Sequence, residues 1–136
     1  MEMKEIIAHG PVIIKAGKLL VSKDGKDDFY KIPGGRPEGD ETPIQTLIRE
    51  VMEETGLECE ILEELSTMIL NRNPTTGEEM RIELHHYLAR LTTKVDLKDF
   101  KHDGYEIRWL DIEEIKQGKY DVSPNIKFLI ERGEIK

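Results

Sequence analysis

Cysteine is almost absent from this chain. Cys59 is the only one, so no intramolecular disulfide can form. It alternates with Leu57 and Ile61 among acidic residues and reads as a small core residue. No neighbouring His or local signature makes it a catalytic thiol. Aromatic residues are also scarce, at 6% with a single Trp. Trp109 alternates with Ile107 and reads as core. Phe29, Tyr30 and Tyr87 are left as the better candidate ring faces for stacking, because a π-face accepts any flat ring. An excess of basic charge is missing too: the net charge is −8 and the pI about 5.1. That excludes a nonspecific binder of nucleic-acid polymers or anionic membranes, which needs a basic footprint. It leaves a phosphate substrate open, because a bound cation reverses the local sign. Long hydrophobic runs are lacking. The opening stretch MEMKEIIAHGPVII is too short and too broken for a signal peptide or a membrane span. A cytoplasmic location is the default expectation. There is no repeat, low-complexity tract or linker, so residues 1–136 read as one domain long enough for a core.

What the chain does have is one dense stretch, from Gly34 to Leu57. Pro33, Gly34 and Gly35 follow the apolar-aromatic run Phe29–Ile32, so a strand is expected to end in a turn of unusual backbone angles. A helix is expected over Pro43–Thr55. Thr42 suits its N-cap, Pro43 its first position, Gln45 a capping box and Gly56 a left-handed C-terminal stop. Ile44, Leu47, Ile48 and Val51 fall at i, i+3, i+4, i+7 and are expected to form its apolar stripe. Glu50, Glu53 and Glu54 fall together on another face, three and four residues apart. Like charges so placed oppose a helix by roughly 0.2–0.5 kcal/mol per pair, and a cation among them relieves this. All-oxygen ligands suit Mg²⁺, with Mn²⁺ or Ca²⁺ next. Arg49, four residues before Glu53, can hold that carboxylate in place. For an isolated E-x-x-E-E, a solvated acidic stripe on a surface helix is the commoner explanation.

Around this stretch the chain alternates. Ile6–Ile7 and Val12–Ile14 read as two short β runs, and Lys15–Lys18 as a hairpin turn into a strand at Leu19–Ser22. Glu58 to about Leu70 reads as one strand, Asn71–Glu79 as a turn, and Arg81–Leu91 as the strand that completes a long hairpin. Thr92–Gly104 reads as a polar connection and Tyr105–Leu110 as a last strand. Asp111 and Glu114 open a short helix ending near Gly118. Ser123 and Pro124 open a final helix ending at Gly133. This order makes a mixed α/β domain.

The stretch Gly35–Leu57 resembles the Nudix box, G-x5-E-x7-R-E-U-x-E-E-x-G-U with U aliphatic. Gly35, Glu41, Arg49, Glu50, Glu53, Glu54 and Gly56 match every fixed position, and Val51 and Leu57 both aliphatic ones. The likeness is greatest to the MutT-like branch, including the Glu-Thr-Pro before the helix. The resemblance implies a three-layer α/β/α sandwich on a mixed sheet. It implies an Mg²⁺-dependent hydrolase, with Mn²⁺ as substitute, that cleaves a phosphoanhydride in a nucleoside diphosphate linked to another moiety. A nucleotide-binding or sensing module on the same fold is the alternative. Metal ligands would be Glu50, Glu53, Glu54 and the Gly34 carbonyl. Arg49 would orient the carboxylates, and Glu41 would fix the loop against the helix. Glu50 is the first candidate base, with Glu106, then Asp103, as candidates from outside the helix. The expected partner is a small nucleotide derivative; a homodimer is left open. Arg36, Lys31, Arg72 and Arg81 are candidate phosphate contacts. His85 and His86, adjacent on a strand, point to opposite faces and cannot share a metal.

Overall fold

The computed structural model describes residues 3–136. Among them, seven strands form one mixed sheet. Strand β1 (Glu5–Lys15) turns through Ala16 and Gly17, with φ of 52° and 74°, into β2 (Lys18–Lys23). Two consecutive positive φ values make the primed turn whose twist suits a hairpin. The two β runs expected around Gly10-Pro11 are therefore one continuous strand. Helix α1 (Pro43–Thr55) is followed by β3 (Cys59–Glu64), β4 (Met68–Arg72) and β5 (Glu79–Leu91). β6 (Phe100–His102) and β7 (Tyr105–Asp111) precede α2 (Ile112–Lys116) and α3 (Pro124–Glu131). The order is β3-β5-β1-β2-β7-β6, and β4 pairs with the other half of β5. β1 and β5 run parallel; the remaining pairs are antiparallel.

Alternation along the strands builds two cores, one on each side of the sheet. Val12, Leu19 and Leu110 pack beneath α2 and α3 with Ile115, Ile126 and Leu129. Their chain neighbours Ile13, Leu20 and Trp109 face the other way and pack with Val51 of α1, joined by Cys59 and Ile107. The α/β/α layering follows. Trp109 and Cys59 are core residues, as the sequence suggests.

Three local expectations need correction. The strand expected from Glu58 to about Leu70 breaks at residues 65–67 into β3 and β4, because the pairing with β5 shifts register. The expected polar connection contains β6, joined to β7 by Asp103 and Gly104 at φ 47° and 85°. Phe29–Ile32 is no strand. It makes only isolated bridges, Ser22 with Lys31 and Tyr30 with Val122.

That last difference positions the site. β1 and β2 pair only near their turn, at Ile14–Leu19 and Lys15–Lys18. Beyond it, the segment after Phe29 lies between them. Lys31 exchanges backbone bonds with Ser22 of β2, and Gly35 with His9 of β1. The Gly-rich loop is thus held inside the sheet rather than hung from its end.

Candidate active site

Helix α1 has the caps its sequence implies. Thr42 and Gln45 form a reciprocal capping box, and Gly56 closes the helix at φ 73°. Its buried face differs from expectation. Leu47 and Val51 are fully buried, but Ile44 and Ile48 are 51% and 43% exposed. The inward face continues instead through Glu54 and Thr55. Periodicity allowed either half of a broad stripe, and packing on the sheet buries the side that carries Glu54.

Glu54 is therefore a buried carboxyl, 6% exposed. It accepts the Gly34 amide at 2.7 Å. Burial, with Glu50 and Glu53 nearby, pushes its pKa up to about 8 despite that bond. Glu50 lies within hydrogen-bonding reach of Glu54 and is itself pushed up by burial, against the pull of Arg49. A Cβ on Gly35 would stand 2.7 Å from the Glu50 carboxyl, so only glycine lets the loop come this close.

Glu53 is turned outward. Arg49 Nη1 donates to it at 3.1 Å and to Glu50 at 2.9 Å. The rest of the guanidinium grips Glu41 with two bonds, Nε to Oε2 at 2.7 Å and Nη2 to Oε1 at 3.0 Å, and Nη2 also donates to the Arg36 carbonyl. Glu41 further accepts the Glu38 amide and the Thr46 hydroxyl. The Arg49 bond first, then the Glu38 amide, hold its carboxyl down at about 2. Arg49 and Glu41 thus tie the loop to the helix. The three helix carboxylates do not all converge: Glu50 and Glu54 face each other, and Glu53 is held aside. Among the described residues no cluster of three His, Cys, Asp or Glu side chains is already arranged to hold a metal. The donor chemistry still fits a hard divalent cation, since two carboxyls with raised pKa face each other beside a glycine backbone, with Glu53 on the same helix.

Glu106 stands apart from this cluster. It alternates with Ile107, which packs on the α1 side, so it points to the opposite face of the sheet. There it meets the Tyr30 hydroxyl at 3.4 Å. Strand parity removes it from the helix carboxylates, and Tyr105 takes its place beside Glu54. Asp103 sits in the β6–β7 turn.

A cavity of about 280 Å³ opens on the α2/α3 side of the sheet. Its walls are Ile6 and Ala8 of β1, Ile82 and Leu84 of β5, and Leu70 of β4. Phe29, Lys31, Arg36, Pro74, His86 and Asn125 also line it. Gly34 and Gly35 line it as well, so the loop that meets Glu50 and Glu54 is also a wall of the cavity. Of the proposed stacking rings only Phe29 reaches it. Tyr87 is buried against His9 on the other face, and Tyr30 packs on Arg108. Lys31 and Arg36 are at the cavity, whereas Arg72 pairs with Glu79 and Arg81 with Glu5. Asn125 and the apolar wall escaped sequence reasoning. Small and apolar residues alternate at Ile6, Ala8 and Gly10, a faint sign of an open strand face.

A mixed sheet between helices, with a carboxylate helix clamped to a glycine loop, defines a class of α/β domain. The comparisons name it: the NUDIX domain matches residues 7–130, and this chain belongs to the Nudix family. By sequence it is 39% identical over 75 residues to a MutT-like protein of Streptomyces ambofaciens, covering 55% of this chain and 47% of that one. It is 31% identical over 83 residues to an 8-oxo-dGTP diphosphatase of Proteus vulgaris, covering 55% and 74%. The chain spans 34% and 47% of the length of two of the curated relatives it matches. By fold it superposes on a NUDIX hydrolase from Nitrosomonas europaea with a TM-score of 0.74 at 22% identity, covering 94% of this chain and 87% of that one. No helix among the described residues is long and apolar enough to cross a membrane.

Proposed function

We propose that the protein is a divalent-cation-dependent hydrolase of a nucleoside diphosphate linked to a further group, with a nucleoside triphosphate the favoured substrate. The observation that carries this reading is the shared wall. Gly34 and Gly35 touch Glu54 and Glu50 on one side and the cavity on the other. A ligand whose flat, largely apolar part fills the cavity would lay its phosphates across the loop toward the carboxylates. Similarity to an 8-oxo-dGTP diphosphatase supports the triphosphate.

Glu50 and Glu54, with Glu53 turned off Arg49, would hold Mg²⁺ or Mn²⁺, and the Gly34 carbonyl is the backbone candidate. The cation, when bound, neutralises the diphosphate and acidifies water. The chain does the positioning. Arg49 fixes Glu50 through Oε1, which leaves Glu50 Oε2 to take a proton from the attacking water. Arg36 brings positive charge to the phosphate path. Phe29 offers a ring face at the cavity. Water reaches phosphorus in line with the leaving group, and nothing here calls for a covalent intermediate.

A panel of nucleoside triphosphates, sugar nucleotides and dinucleoside polyphosphates, assayed with Mg²⁺, tests the reading. Phosphate, pyrophosphate and nucleotide products should all be measured. Tight binding across the panel with no turnover would replace it by a sensing module.

A further inference from the structure

His86 is 1% exposed, and the proposed reaction does not use it. Both its ring nitrogens are bonded inside the protein. Nδ1 lies 2.8 Å from the Ser66 carbonyl oxygen. A carbonyl only accepts, so Nδ1 carries the proton. In the neutral ring Nε2 is then an acceptor, and the Asn125 side-chain amide donates to it at 3.0 Å. That turns Asn125 Oδ1 the other way, where it accepts the Ser123 hydroxyl. Turning the amide over would set its oxygen against Nε2, acceptor against acceptor. The chain Ser66–His86–Asn125–Ser123 therefore allows the amide one orientation.

Asn125 is half-buried and lines the cavity with His86. An amide has two N–H bonds and two acceptor sites. One of each is used in the chain, and one of each is left for an occupant. We propose that His86 is a positioning residue for base selection: by fixing the Asn125 amide, it makes this part of the cavity wall offer a donor and an acceptor in one order only. The proposal rests on the cavity being the base subsite of the proposed hydrolase. Guanine and uracil present a carbonyl beside a ring N–H. Adenine and cytosine present an amino group beside a bare ring nitrogen. In one ring pose a fixed amide matches one class, whereas an amide free to turn matches both.

Burial keeps the ring neutral and lowers its pKa. His85 on the same strand lowers it too, while the Ser66 bond and Glu134 beyond α3 pull it up. Arg132 bonds both Glu134 and the Ser66 hydroxyl. In acid, Nε2 gains a proton and faces the amide donor to donor, so the amide must turn over.

The test uses the whole chain with Mg²⁺ and two size-matched pairs, GTP against ATP and UTP against CTP. Wild type should favour one class in both pairs by about tenfold in kcat/KM, the scale set by an unpaired buried polar group. His86→Leu should cut that preference severalfold, through KM rather than kcat. His86→Gln, whose carbonyl can stand in for Nε2, should retain more of it. The wild-type preference should also decline in acid as His86 titrates. Nitrogen-15 spectra of the imidazole should show the Nδ1–H tautomer. An unchanged preference in folded His86→Leu, or an Nε2–H tautomer in wild type, overturns the proposal. If His86→Leu does not fold, Asn125→Asp decides. Its carboxylate should draw a proton onto Nε2 and raise the His86 pKa, and an unmoved titration overturns the proposal. Should no nucleotide be hydrolysed at all, the proposed function fails separately. The imidazole spectra and the relative binding of the four nucleotides still judge His86.

Discussion

The backbone amide of Gly34 donates to the carboxyl of Glu54 across 2.7 Å, joining the glycine loop to the buried face of α1. Burial above all pushes the Glu54 carboxyl up to about 8. An unfolded Glu titrates near 4.5, so between these values the native state holds a proton that the unfolded state has lost. Metal-free stability should therefore fall as pH rises from about 4.5 through about 8. A divalent cation held by Glu54 would displace that proton. Thermal melts with and without Mg²⁺ should show a larger Mg²⁺ stabilisation above pH 8 than at pH 6, and calorimetry in two buffers should show proton release on Mg²⁺ binding. Glu54→Gln should reduce the release and remove most of the activity.

Two adjacent glycines should fail differently. A Cβ on Gly34 would meet the His9 carbonyl oxygen at 2.2 Å, at a φ of 144°, where neither side can yield. Gly34→Ala should lower stability by a few kcal/mol or prevent folding. A Cβ on Gly35 meets only the carboxyl end of Glu50, which can swing away. Gly35→Ala should melt near wild type while losing Mg²⁺ affinity and turnover. Melting curves and Mg²⁺ titrations of the pair distinguish the two.

Arg49 donates to Glu41, Glu50, Glu53 and the Arg36 carbonyl at once. Sequence alone predicts a loss of turnover in Arg49→Lys with little change in melting temperature. The structure adds a stability cost, since lysine cannot reproduce the planar fork that ties loop to helix. The expected loss is roughly 1–2 kcal/mol, measured by urea unfolding, together with a large fall in kcat. Unchanged kcat would remove the orienting role.

Glu106→Gln should leave kcat and Mg²⁺ affinity at wild-type values, because Glu106 lies across the sheet from Glu50 beside Tyr30. Glu50→Gln should harm both. Assays of kcat against Mg²⁺ concentration for the two variants decide the matter, and a fall in kcat in Glu106→Gln alone would restore it as a base candidate.

Leu47→Ala should cost about 2–5 kcal/mol as a cavity in the core, whereas Ile48→Glu should cost little because Ile48 is 43% exposed. Urea unfolding reads both. If the homodimer left open by the sequence uses the outer face of α1, Ile48→Glu should also shift the mass seen in sedimentation.

Much of the site was legible because its signals are local. The ends of α1 follow from Thr42, Pro43, Gln45 and Gly56, whose effects act within one helical turn. The neighbourhood of Arg49, Glu50 and Glu53 follows from helical spacing, and the family from the fixed gaps of the box. The sequence could not say which apolar residues of α1 face inward, since Leu47, Val51 and Ile48 satisfy one periodicity and only docking on the sheet separates them. It could not place Glu106, because parity along β7 is defined only once Ile107 has chosen a core. Nor could it bring Asn125 to His86, or seat Gly35 between β1 and β2. Those contacts join residues far apart in the chain; Gly35 sits where it does because β1 and β2 pair only near their turn and leave a gap that the glycine loop fills.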